Sequence, residues 1–396
     1  MRSSLELSSG YVHQITKAIN HLPGYTPGAA TPLHIPSISK EDIVSVSDAV
    51  ESSWVSTAGP YGKILENQIT EYCGVEFCVA TNSGTSALHL AVLTSGASSE
   101  TAVITSPLTF VSTANAIKYS GATPIFVDVD LDDFCLSPSS LREYLSTCKR
   151  SRSGELQDPL TQKTIKSVLS VNLLGNIYKY QEILDVCEEF TLDLIEDSAE
   201  ALGSFSSEGA HAGTFGKSGV LSFNGNKIVT TGAGGALITN DPKVAAEARH
   251  LASQSRISST TSLSHDRVGF NYLMPSLNAS LGIGQVKRIQ ETLEAKGKVT
   301  ATLRKAFAES ELRFFEPSSR SNNWLNAVAL KQPDIEVLNQ VISGLNESRI
   351  AVRPLWEPMN ELSYLNLQGQ VPTPNAKALR NSVICLPSSP YLSERK

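Results

Sequence analysis

An α/β fold built on a mostly parallel sheet, with helices on both faces, is predicted by two observations. Short β-rich runs alternate with helical stretches between about residues 70 and 240, and glycines suited to helix C-termini close the helical stretches. The expected strands are "FCVAT" (77–81), "TAVITS" (101–106), "TPIFVDV" (123–129), "IKSVLSV" (165–171), "LDLIED" (192–197), "GVLSF" (219–223) and "GALIT" (235–239). Between them fall helices such as "SALHLAVLTSG" (86–96) and "FVSTANAIKYSG" (110–121). The polar stretch 148–166 reads as an exposed loop. Beyond Pro275, apolar residues at Leu277, Leu281, Val286, Ile289 and Leu293 line one face of a long helix leading out of this unit. "LRFFEP" (312–317), "WLNAVAL" (324–330), a helix over 335–345 and "IAVRPLW" (350–356) then predict a smaller α+β unit. Residues 1–30 are a weakly patterned leader with one amphipathic piece at 12–19. The expected domains are therefore 1–30, 31–290 and 291–396.

Composition narrows the function. Of the 396 residues 41% are apolar and 18% charged, as in an ordinary soluble globular protein with a sizeable core. A formal charge of −6, with no Lys/Arg cluster among aromatics, gives nucleic acid no footprint. The sequence has no run of the roughly 18 consecutive apolar residues that a membrane span needs, and "MRSSLELSSGYVHQ" lacks a signal-peptide core, so a cytoplasmic protein is expected. The six cysteines form neither a C-x-x-C pair nor a metal-spaced cluster, so reduced thiols and no metal site are expected.

Three motifs carry chemistry. In "TNSGTSALHLA" (81–91) a strand gives way to a helix, where Gly84 allows close backbone approach and Thr85 and Ser86 add hydroxyls beside unpaired N–H groups. That suits a phosphate; the plainer reading is a helix cap by Ser83 or Thr85. His89, within the helix, reads as a packed core histidine. In "LIEDSAEALGS" (194–204), Asp197 ends an apolar strand, where such sheets place ligand contacts, and Glu200 follows one helical turn on. Helix-terminus stabilisation is the alternative for both acids. In "SFNGNKIVTTGAGG" (222–235), Ser222 ends a strand and Lys227 lies in a turn; the spacing fits neither a Walker loop nor a dinucleotide fingerprint. Together, anion donors, an acid and an amine are what pyridoxal phosphate requires: a phosphate seat, a partner for its ring nitrogen and a Schiff-base lysine.

With "WVSTAGPYGKILENQI" (54–69), "TFVSTANAIKYSGATPIFVDVD" (109–130), "VGFNYLMPSLNASLG" (268–282) and "RPLWEPMN" (353–360), these motifs make the chain resemble, from about 33 to 390, the DegT family of sugar-nucleotide aminotransferases. The resemblance implies the aspartate-aminotransferase-like (type I) fold, with a mostly parallel seven-stranded sheet and a smaller C-terminal α+β domain. It implies Lys227 as the cofactor lysine, Asp197 at the pyridine nitrogen, and Gly84, Thr85 and Ser222 at the phosphate. Phe110 would stack on the ring, and Asn271 would reach the phosphate from the partner subunit of a homodimer with shared active sites. Glu200 stands where many members carry Gln or His, Leu273 where Arg is common, and Asn360 where His is common.

The wording "SFNGNKIVTTG" and "RPLW" is most similar to the branch that aminates C4 of UDP- or GDP-linked 4-keto-6-deoxy sugars, of the bacillosamine and legionaminic-acid type. The implied reaction takes an amino group from glutamate, leaves pyridoxamine phosphate, and passes the amine to the keto sugar. A sugar-nucleotide dehydratase, which in this family carries His in place of the lysine, and a non-catalytic regulatory relative are the alternative readings.

Overall fold

A computed structural model describes residues 3–177, 179–258, 262–318 and 320–394. In chain order the strands are β1 (Phe77–Thr81), β2 (Thr101–Thr105), β3 (Thr123–Phe126), β4 (Lys149–Arg150), β5 (Leu156–Gln157), β6 (Thr164–Val171), β7 (Asp193–Asp197), β8 (Ser218–Ser222), β9 (Gly235–Thr239), β10 (Arg256–Ser258), β11 (Leu263–His265), β12 (Arg313–Phe314), β13 (Asn326–Ala329), β14 (Arg353–Pro354) and β15 (Val383–Leu386). The seven expected strands form the main path of the large sheet, in the order β1-β9-β8-β7-β6-β2-β3. Pairing is parallel from β8 to β3, while β9 runs antiparallel to both β1 and β8. Val103, Ile104, Val168, Leu169, Ile195, Val220 and Leu237 are all buried, as a sheet covered on both faces requires.

The helices are α1 (Ser4–Ile19), α2 (Lys40–Glu51), α3 (Tyr61–Cys73), α4 (Gly84–Thr94), α5 (Ser112–Tyr119), α6 (Pro138–Thr147), α7 (Tyr180–Phe190), α8 (Pro242–Ala252), α9 (Ser276–Lys287), α10 (Ile289–Phe307), α11 (Ile335–Glu347) and α12 (Pro374–Arg380). Among the described residues no helix is long and apolar enough to cross a membrane. A second, antiparallel sheet runs β12-β13-β15-β14.

Three local expectations change. The 148–166 stretch is not a plain loop: β4 and β5 form a hairpin whose end pairs with the start of β6. Buried Asp158 fastens it, accepting hydrogen bonds from the Tyr144 and Thr161 hydroxyls. The amphipathic piece at 12–19 is the second half of α1, which a capping box of Ser3 and Glu6 starts. Ile15 and Ile19 of α1 join Leu303, Phe307, Val337 and Val341 in the core under the small sheet, so this segment packs with C-terminal elements. The long helix after Pro275 is two, α9 and α10, broken at Arg288, whose guanidinium pairs with buried Asp42 of α2.

Candidate active site

The C-terminal ends of β1, β7 and β8 are brought together by register. Thr81 of β1 and Ser222 of β8 both pair with Gly235 of β9. A Cβ on Gly235 would fall 2.5 Å from the Gly84 nitrogen, so glycine is what lets the start of α4 press against the sheet. Gly84 itself lies so near β8 that a Cβ there would be 3.0 Å from Ser222 Cβ and 3.1 Å from its Oγ. Ser83 caps α4, its Oγ accepting the Ser86 N–H at 3.0 Å. The capping alternative therefore holds for Ser83, while the N–H groups of Gly84 and Thr85, like any in a first turn, lack intrahelical acceptors. The Thr85 hydroxyl donates to Ser112 Oγ at 2.8 Å.

Asp197 closes β7. Its Oδ2 accepts from Thr113 Oγ1 at 2.6 Å and its Oδ1 from the Ala199 N–H at 3.2 Å. Burial pushes its pKa up, and these two hydrogen bonds pull it back. In the following turn Glu200 Oε2 accepts the Leu174 N–H at 2.8 Å, and Oε1 lies 3.4 Å from Lys227 Nζ. Lys227 sits in the turn after β8, its N–H bonded to the Asn224 carbonyl at 3.0 Å. Burial lowers the pKa of its amine, Glu200 and Asp197 oppose that, and Arg353 adds to it. The amine is thus biased toward the neutral form a nucleophile or base needs.

One cavity of about 640 Å³ is lined by Gly84, Thr85, Asp197, Glu200, Ser222 and Lys227, with Phe110, 54% exposed, at its wall. Asn271 does not line it: it bridges to Ser253, and its carbonyl accepts from Asn82 Nδ2 at 3.1 Å. Leu273 pairs with Thr81 and Asn360 donates to Thr373 Oγ1 at 3.0 Å; neither lines the cavity. His89 is buried among Phe270, Tyr119 and Tyr272, as its core reading expects.

Sequence reasoning overlooked much of the opposite lining. Trp324, just before β13, places its indole 3.9 Å from Lys227 Nζ. Trp356 stacks on Trp324 at 13° between planes, and the Arg353 guanidinium lies 4.0 Å from the Trp356 ring. The available signal was "RPLW", which holds Arg353 and Trp356 three residues apart at the end of a short strand.

Residues 36–396 match the DegT/DnrJ/EryC1/StrS aminotransferase family. The chain belongs to that family. GDP-perosamine synthase of Caulobacter vibrioides is 33% identical over 319 residues, 80% of this chain and 81% of that one. UDP-4-amino-4-deoxy-L-arabinose–oxoglutarate aminotransferase of Shewanella sediminis is 32% identical over 280 residues, 67% of this chain and 66% of that one. The solved aminotransferase TlmJ of Streptoalloteichus hindustanus superposes with a TM-score of 0.81 at 25% identity, covering 91% of this chain and 94% of TlmJ. As a family member the chain is a sugar aminotransferase that uses pyridoxal phosphate. The geometry fits that cofactor: a helix N-terminus opened by glycine for the phosphate, a buried carboxylate at a strand end for the ring nitrogen, and a buried amine facing the same space.

Proposed function

We propose that the chain transfers an amino group from glutamate to the C4 keto carbon of a nucleotide-linked 4-keto-6-deoxy sugar in surface-glycan or nonulosonic-acid biosynthesis. The observation that carries the reading is the Lys227 amine, 3.4 Å from Glu200 and facing the cavity that Asp197 and the start of α4 also line. The amino donor's carboxylate and the sugar's diphosphate are anions, and Arg353 offers a cation on that wall. The Shewanella relative's name, with a 4-amino sugar and oxoglutarate, favours the same chemistry.

Bound pyridoxal phosphate supplies a conjugated ring that takes up the electron pair released when the C–H bond beside the amino nitrogen breaks. Gly84 and Thr85 N–H groups, with the Thr85 and Ser222 hydroxyls, would hold its phosphate; Phe110 would cover one face. Asp197 would keep a proton on the ring nitrogen, and Glu200 would lie by the ring hydroxyl. The Lys227 amine would take the proton from the donor carbon at Nζ and return it on the cofactor side, and then run the same transfer in reverse on the keto sugar. Burial lowers the pKa of that amine and so favours its neutral form.

Asn271 does not line the cavity of its own chain, which suits a residue serving the partner's site in a homodimer. Exposed Ile43, Val44 and Val50 of α2, with Trp54 and Val55, offer an apolar face for the second copy. The domain division at about residue 290 falls near the break at Arg288 and is part of this proposal.

The test is to load the protein with pyridoxamine phosphate and offer UDP-, GDP- and dTDP-linked keto sugars. A 4-amino product is expected, with glutamate regenerating the amine form. Amination of keto acids alone, or undiminished turnover by Lys227→Ala, would refute the assignment.

A further inference from the structure

We propose that Asn322 and Trp324 are positioning residues for Lys227, forming one hydrogen-bonded clamp that fixes its amine against the cavity wall. The inference rests on the reading of Lys227 as the proton carrier.

Trp324 is 2% exposed, with its indole face 3.9 Å from Lys227 Nζ. Each of its polar groups is committed. The backbone N–H donates to Asn322 Oδ1 at 2.8 Å, and the carbonyl accepts from buried Lys296 Nζ at 3.1 Å. The indole Nε1–H donates at 2.7 Å to the carbonyl of Asn226, the residue before Lys227. Lys296 also donates to the Ser388 carbonyl at 2.6 Å, so α10 holds Trp324 and the C-terminal segment together.

Asn322 joins this wall to the other side of the lysine. Its Nδ2 donates to the carbonyls of Glu200 at 2.8 Å and Leu202 at 2.9 Å, and its N–H donates to Ser204 Oγ at 2.9 Å. The carboxylate 3.4 Å from Nζ and the indole 3.9 Å from the same atom therefore belong to one framework. There is no slack in it: at Gly175, where φ is +89°, a Cβ would fall 2.0 Å from Asn322 Oδ1.

A free lysine side chain samples many rotamers, and an amine misplaced by about 1 Å can cost a hundredfold in rate. Two hydrogen bonds fix the Trp324 backbone and a third, from Nε1–H, sets the plane of the indole against the turn that carries Lys227.

The groups that face Lys227 electrostatically are Glu200, Asp197, Arg353 and His34. All remain in place in Trp324→Leu, which removes both the aromatic face and the Nε1–H bond to Asn226, and in Trp324→Phe, which restores the face alone. Two readouts are made on the full chain: kcat and KM for the glutamate half-reaction, and, without cofactor, the pH dependence of Lys227 acylation followed by peptide mass spectrometry.

Trp324→Leu is expected to lower kcat by about 10- to 100-fold with KM within about twofold. Its acylation midpoint should move to lower pH by about half a unit or more, because an aromatic face favours the cationic amine. Trp324→Phe, which keeps an aromatic face but loses the Nε1–H bond to Asn226, should recover most of the midpoint and only part of kcat. A Leu variant with wild-type kcat, a Leu midpoint that stays or rises, or a Phe variant with fully wild-type kcat overturns the clamp. If instead Lys227→Ala turns over as well as wild type, it is the proton-carrier reading that fails.

Discussion

Acidification should loosen the turn that carries Glu200, through a single histidine. His211 is buried, with the edges of Phe205 and Tyr72 around its ring. Its Nε2 accepts the Gly203 N–H at 2.9 Å, and Nδ1 donates to the Ala212 carbonyl at 2.5 Å, which fixes the neutral tautomer. Protonating Nε2 would set one N–H against another. Burial lowers this pKa from 6.5 to about 4, against the pull of the Ala212 carbonyl. Because the folded value lies below the unfolded one, the unfolded chain takes the proton first as pH falls. The stabilisation is thus fully present above about 6.5 and lost on the way down to about 4. At about 1.4 kcal/mol per tenfold change, the loss is roughly 3 kcal/mol. In His211→Gln the side-chain oxygen can still accept from Gly203, but nothing titrates. Urea unfolding of both proteins from neutral pH to about pH 4 should show wild type losing roughly 3 kcal/mol more than the variant, since carboxylate effects common to both cancel. Parallel profiles would refute the reasoning.

Three further outcomes are expected. Glu196 is fully buried and accepts from the N–H groups of Gly213, Phe215 and Gly216 at 2.9, 2.7 and 2.8 Å. Glu196→Gln should keep the two bonds at Oε1 and lose about 1–3 kcal/mol, while Glu196→Ala, which strands all three donors, should lose more, both read as denaturant midpoints. Gly84→Ala should weaken cofactor binding about tenfold by absorbance titration, since its Cβ meets Ser222 on a rigid strand at 3.0 Å. Asp197→Asn can still accept the Thr113 hydroxyl but carries no charge for a ring nitrogen, so turnover should fall by more than about a hundredfold while the apoprotein melts near the wild-type temperature.

The main path of the nine-stranded sheet was legible because its seven strands are short runs rich in buried apolar residues, bounded by glycine or polar punctuation. The β4–β5 hairpin was not, since two-residue polar strands carry no period to read. The start of α1 was readable in principle: "SSLE" at 3–6 is a capping box, a signal masked by the polar first turn that follows it.

The site divides along the same physical line. Its chemistry lies at strand ends whose neighbours are set by sheet topology, so three local motifs taken in order could point to one cofactor. Its walls do not follow from local order. Trp324 and Asn322 reach Lys227 from the segment leading into β13, about a hundred residues on, and only their hydrogen bonds to Asn226 and Glu200 reveal the connection. Gly235 shows the converse. Read alone, the stretch ending in "GAGG" fits neither a Walker loop nor a dinucleotide fingerprint; the shared register of Thr81 and Ser222 on Gly235 makes that glycine the point where α4 and β8 meet. A side chain there would push the start of α4 away from the strand that leads to Lys227. Sequence can thus name groups that the fold gathers around one cavity, while the distances between them are fixed by residues whose type looks ordinary until the sheet is assembled.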